Sequence, residues 1–177
     1  MSNTKTFKLK KFNTGFTLIE LLLSLSITSF ILIMTTVFLS TLLESRVKNQ
    51  TITQVEQQGL YVMQMITQTV RNATTINTPA TGITTGTLSV NTITPALNPT
   101  TFDLSGDVIR IKEGGGNAID LTNSRVTASD LTFQNLSRAG TPGTVRISFI
   151  LTYKNNTGRN EYTFSKTFIS SGTLRQP

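Results

Sequence analysis

The hydrophobic pattern changes its period twice along this chain. From Phe16 to Leu43 apolar residues run almost unbroken, and Leu21 to Leu43 is a stretch of 23 residues without a charge. As a helix such a stretch rises about 35 Å, enough to cross a hydrocarbon layer about 30 Å thick. A secretory signal has an apolar core of only about 7–15 residues followed by a small-residue cleavage site. This run is longer and no such site follows it. Beyond Leu43 the chain turns polar, yet Val47, Val55, Val62, Ile66, Val70 and Ala73 recur at spacings built from three and four, the period of one helix face. Glu56, Gln57, Gln64, Gln68 and Arg71 fall mostly on the other side. No proline interrupts residues 16–73, so the pattern predicts one helix of about 58 residues. Gly59 lies inside it, at a cost of about 1 kcal/mol against alanine unless it serves close packing.

Residues 74–101 are rich in Thr, Asn, Gly and Pro, with Pro79, Pro95 and Pro99. They read as a long surface loop with a short strand at 87–93, the place for subunit-specific contacts or a plain connector. From residue 102 the period shortens to two. Val108–Ile111, Ala118–Leu121 and Leu131–Leu136 are short strands. Val145, Ile147, Phe149, Leu151 and Tyr153 alternate with Arg146, Ser148, Ile150 and Thr152, and Tyr162, Phe164, Lys166 and Phe168 repeat the pattern after the turn cluster Asn155–Gly158. That pair reads as a hairpin. A helix stripe facing such strands gives an α+β fold, a long N-terminal helix packed on a C-terminal antiparallel sheet. The divisions are then 1–15, 16–43, 44–73, 74–101 and 102–177.

Composition narrows the function classes. With 37% hydrophobic and 14% charged residues the chain is too apolar for a disordered protein. Cys and His are both absent. No disulfide, thiol nucleophile or thiolate metal site exists, and the commonest general base is missing. The expectation is a non-enzyme with no catalytic residues, no metal and no cofactor. The net charge is +7, but Lys5, Lys8, Lys10 and Lys11 precede Gly15, so 7 − 4 = +3 remains beyond that glycine. A basic cluster just before a spanning segment stays on the cytoplasmic side of the membrane.

One carboxylate stands at the start of the apolar run. Glu20 follows Gly15-Phe16-Thr17-Leu18-Ile19. An acid at such a place costs several kcal/mol unless partnered, and so marks function. The segment Gly15–Glu20, with its basic leader and long apolar helix, resembles the processing site of type IV prepilins and type II secretion pseudopilins over about the first 40 residues. The resemblance implies a type IV pilin-like fold and cleavage between Gly15 and Phe16 by a prepilin peptidase at the inner face of the cytoplasmic membrane. It also implies N-methylation of the new Phe16 amine and assembly with other pilin or pseudopilin subunits, Glu20 meeting the Phe16 amine of a neighbour. The head would lie outside the membrane, and later in a filament at the cell surface or in the periplasm.

The stretch Val55-Glu56-Gln57-Gln58-Gly59-Leu60-Tyr61-Val62, continuing to Val70-Arg71-Asn72-Ala73, resembles minor pilins of the PilW type and pseudopilins of the GspJ type. Many major pilins carry a proline where Val37 stands here, and many close the C-terminal region with a disulfide, which this chain lacks the cysteines to form. Glu20 departs from the tip-most pseudopilins, which usually lack the acid. The expected role is therefore a minor pilin or pseudopilin, with a DNA- or surface-binding subunit of a competence-type pilus as the alternative.

Three further groupings are weaker. Gly114-Gly115-Gly116 follows a strand but has no Lys-Ser/Thr partner, and reads as a turn. Asp103, Asp107, Glu113 and Asp120 fit no calcium-loop spacing. Arg138, Arg146, Lys154, Arg159 and Lys166 form a nucleic-acid surface only if they share a face.

Overall fold

A computed structural model describes residues 15–175; the basic leader before Gly15 lies outside the described residues. Helix α1 spans Leu18–Arg71. It opens on Thr17, whose carbonyl accepts from the Glu20 and Leu21 N–H groups at 3.1 Å. The Thr17 hydroxyl also lies 3.4 Å from the Glu20 N–H. That is the N-cap position, and Thr17-x-x-Glu20 is the capping-box spacing.

The chain forms two compact units, 1–43 and 44–177. In the first, the apolar side chains of α1 are exposed throughout. The helix is long and apolar enough to cross a membrane. Its hydroxyls turn back on the helix. Ser26, Thr28, Ser29, Thr35, Thr36, Ser40 and Thr41 donate to carbonyls three or four residues earlier, at 2.7–3.1 Å. A hydroxyl satisfied this way adds little polarity to a lipid-facing surface.

The second unit contains the rest of α1 and nine strands in two antiparallel sheets. One sheet has the order β1-β3-β4-β5-β6. It comprises β1 (Ala73–Thr78), β3 (Leu88–Thr92), β4 (Thr100–Ser105), β5 (Val108–Glu113) and β6 (Ile119–Asp120). The other has the order β2-β7-β8-β9, from β2 (Thr84–Thr85), β7 (Val126–Asn135), β8 (Thr144–Tyr153) and β9 (Ser165–Thr173). The α+β class holds, with two sheets where one was expected.

Two local expectations need correction. Residues 74–101 hold more than the one strand expected at 87–93, which is β3: β2, most of β1 and the start of β4 lie there too. Threonine is β-branched and suits a pleated surface as well as a loop. Leu88 and Val90 are fully buried and fix β3 between β1 and β4. Tyr162 and Phe164 are likewise outside the strand they were expected to join. Asn160–Tyr162 form a 3-10 turn, and β9 begins at Ser165. The connection is organised by Asn155. Its Oδ1 accepts from the N–H groups of Thr157 at 3.1 Å and Gly158 at 2.9 Å, and its Nδ2 donates to the Arg159 carbonyl at 2.9 Å. Gly158 supplies the left-handed φ of 70°.

The α1 stripe Val55, Val62, Ile66 and Val70 is fully buried against this unit. Val145, Ile147, Phe149 and Leu151 of β8 are also fully buried, as the period of two required. Gly59 resolves as a packing glycine. A Cβ there would overlap the ring of Phe168 in β9. That ring stacks on Phe149 with centroids 5.3 Å apart.

Candidate assembly site at the helix start

Gly15, Phe16 and Glu20 stand together at the N-terminal end of α1. Among the described residues, Gly15 has no atom within 4 Å of where a Cβ would sit. Phe16 is 73% exposed. Glu20 is exposed in the first helical turn. A carboxylate in that turn is favoured by the helix dipole by about 0.3–1 kcal/mol. Phe16 and Thr17 lie just before the helix, and Glu20 is its third residue. Leu21, Ser24, Leu25 and Thr28 continue from them as one exposed surface. Thr17 belongs with this group and was not singled out from the sequence. Its capping role was legible in the Thr17–Glu20 spacing, which the acid's own chemistry overshadowed.

Residues 10–36 match the family model described as the prokaryotic N-terminal methylation motif. The matched stretch contains Gly15, Phe16 and Glu20 and ends within the uncharged run, so it covers the chain's start and none of its strands. The N-terminus thus carries a type IV prepilin-like signal for processing and methylation. Comparison with curated proteins gives no match, and comparison with solved structures gives none.

The other groupings separate in space or in bonding. Asp103 faces Arg110 across β4 and β5 in a two-pronged pair, Nε–Oδ1 at 3.0 Å and Nη2–Oδ2 at 2.9 Å. Its hydrogen bond to Asp103 holds the Arg110 guanidinium further above its ordinary value; desolvation opposes this, and the charges of Asp103 and Asp120 add to it. Asp103 is thereby committed to an arginine, and among the described residues no cluster of three acids offers a metal site. The amide of Gly114 bonds to the carbonyls of Leu97 and Pro99 at 3.2 and 3.0 Å. It is spent inside the fold, as the turn reading required. Of the basic residues, Lys166 pairs with Glu56 at 2.6 Å and Arg159 pairs with Glu161. Arg146 lies across from Gln134 and Ser171 on the solvent side of its sheet. Among the described residues, Arg138, Arg146 and Lys154 form no salt bridge.

Proposed function

We propose that this chain is a structural subunit, a minor pilin or pseudopilin, cleaved after Gly15, methylated at Phe16 and drawn through residues 16–43 into a type IV pilus-like filament. The observation that carries the reading is the coincidence of the methylation motif at 10–36 with Glu20 in the first turn of an exposed apolar helix. Before assembly the helix rests in the cytoplasmic membrane with the leader inside and residues 44–177 outside.

Electrostatics gives Glu20 its part. Cleavage leaves a cationic amine on Phe16, beside a helix start whose dipole disfavours positive charge. N-methylation keeps that charge. The same dipole favours the Glu20 carboxylate. When helices bundle, the Phe16 amine of one subunit and Glu20 of its neighbour each relieve the other's burial. Breaking such a pair strands a buried charge at about 3–5 kcal/mol, enough to fix the stagger between subunits.

Mass spectrometry of the purified filament fraction is the test. The expected species begins at Phe16 with one added methyl group, and a chain still carrying Lys10 and Lys11 in filaments would overturn the reading. Glu20→Gln should be cleaved normally yet enter filaments at a small fraction of the wild-type level. Incorporation at the wild-type level would remove Glu20 from the joint.

A further inference from the structure

The two sheets have four edge strands, and three are protected in recognised ways. β2 and β6 are two residues long. β1 is broken by two register shifts. Short or bulged edges resist pairing with other chains. β9 is different. It runs nine residues, pairs with β8 in unbroken register from Thr173 to Ser165, and contains no proline. On its other side it forms no backbone hydrogen bond among the described residues. Its single charge, Lys166, is held by Glu56 and so does not guard the edge.

β9 itself runs alongside α1. Lys166 meets Glu56, Phe168 meets Gly59, and Gly172 meets Val70 and the Thr67 carbonyl, so strand and helix advance in the same direction. Next to these contacts, α1 presents the flank Leu60, Met63, Thr67 and Arg71 at spacings of three and four. Together with Gln64 and Gln68 of the same helix, the flank lines a trough of about 570 Å³. The Thr67 hydroxyl oxygen is buried there without a hydrogen-bond partner. At the far end the Arg175 N–H donates to the Arg71 carbonyl at 3.1 Å, and both side chains border a second hollow of about 450 Å³. Neither guanidinium forms a salt bridge among the described residues.

We propose that the open edge of β9 and this flank of α1 form a groove that takes one extended strand of a partner protein, uncharged along its length and acidic at the end that meets Arg71 and Arg175. The β9 backbone supplies hydrogen bonds whatever the sequence, and alternate side chains of the incoming strand enter the trough. The two arginines set its polarity through charge-assisted hydrogen bonds. The occupant is not the β9 of a second copy. Adjacent strands lie about 4.8 Å apart, whereas packed helices need about 8–10 Å. A second β9 would bring its own α1 into the space this helix fills.

The probes are fluorescein-labelled peptides of alternating threonine and valine, nine residues long. One set carries two aspartates at either end and a matching set carries two lysines. They are titrated against the full chain in detergent micelles, with hydrogen exchange followed on the complex. An aspartate peptide of one polarity binds, its lysine counterpart binds at least about tenfold more weakly, and new protection falls on β9 and not on β1, β2 or β6. Replacing Arg71 and Arg175 together by glutamine removes that preference. Leu60→Glu, at a position 63% exposed and so free to change without unfolding the domain, abolishes binding. Equal affinity for both sets, protection at another edge, or no binding by any of the peptides would overturn the proposal.

Discussion

At the level of single residues, Gly59 and Phe168 govern how closely the helix approaches the sheet. A methyl group at Gly59 would gain about 1 kcal/mol of helix propensity. It would also strike a ring that cannot swing aside, because Phe149 stacks behind it. The expected net effect of Gly59→Ala is a loss of about 1–3 kcal/mol, read as a lower melting temperature of the full chain in micelles. Combining it with Phe168→Leu should cost less than the sum of the two single changes, since both act on one contact. An additive double mutant would show that ring and glycine are independent. The sequence marked Gly59 as either a weak point or a packing device. Choosing between these required its partner, which lies far along the chain and leaves no local trace. The motif matched at residues 10–36 was legible because it rests on local spacing along the chain.

Elements were legible in proportion to how far burial enforced a period. The second half of α1 and strand β8 each bury one face completely, and both stood out. β1 did not, and for β3 the short strand at 87–93 was read but not its partners, because the pairing of both is decided by two deeply buried positions, Leu88 and Val90, among threonines and asparagines that also suit turns. The end of the β8–β9 connection was hidden for a related reason. Tyr162 has a strand-like neighbour pattern, yet it stacks on Tyr153 with centroids 6.1 Å apart and sits in a 3-10 turn. That connection is tied to the helix by Lys48, whose ammonium donates to the Thr163 carbonyl at 2.6 Å and reaches the Asn160 carbonyl at 3.4 Å. Lys48→Met keeps the aliphatic stem and removes the donor. Trypsin should then cut after Lys154 or Arg159 several-fold faster, while the melting point moves by the equivalent of about 1 kcal/mol or less. Unchanged cleavage would mean that Asn155 alone holds the connection.

At the scale of the molecule, every buried hydrophobic residue of the core among the described residues falls between Val55 and Phe168, inside the compact unit 44–177. A chain beginning at Glu44 should therefore be soluble and unfold in one cooperative transition followed by circular dichroism. A broad, non-cooperative loss of signal would show that the core depends on residues outside that unit. The division also explains what the sequence withheld. Its first 40 or so residues carry a motif of fixed local spacing, matched at residues 10–36, on a long apolar helix. The head is constrained only to cover one stripe of α1, and many strand arrangements meet that demand. The class of fold was legible, whereas the split into two sheets was not.

The seating of Phe168 on Gly59 also sets a timetable. The helix stripe is made early, and the strand that covers it is among the last parts of the chain to be synthesised. Until β9 arrives, Val55, Val62, Ile66 and Val70 lack part of their cover, and contacts of such long sequence separation form slowly. A nascent chain that stops before Ser165 would carry the whole N-terminal motif on an unfinished head. Completion of the last strand thus closes the core, and a chain cut short of it would leave that stripe open to proteases.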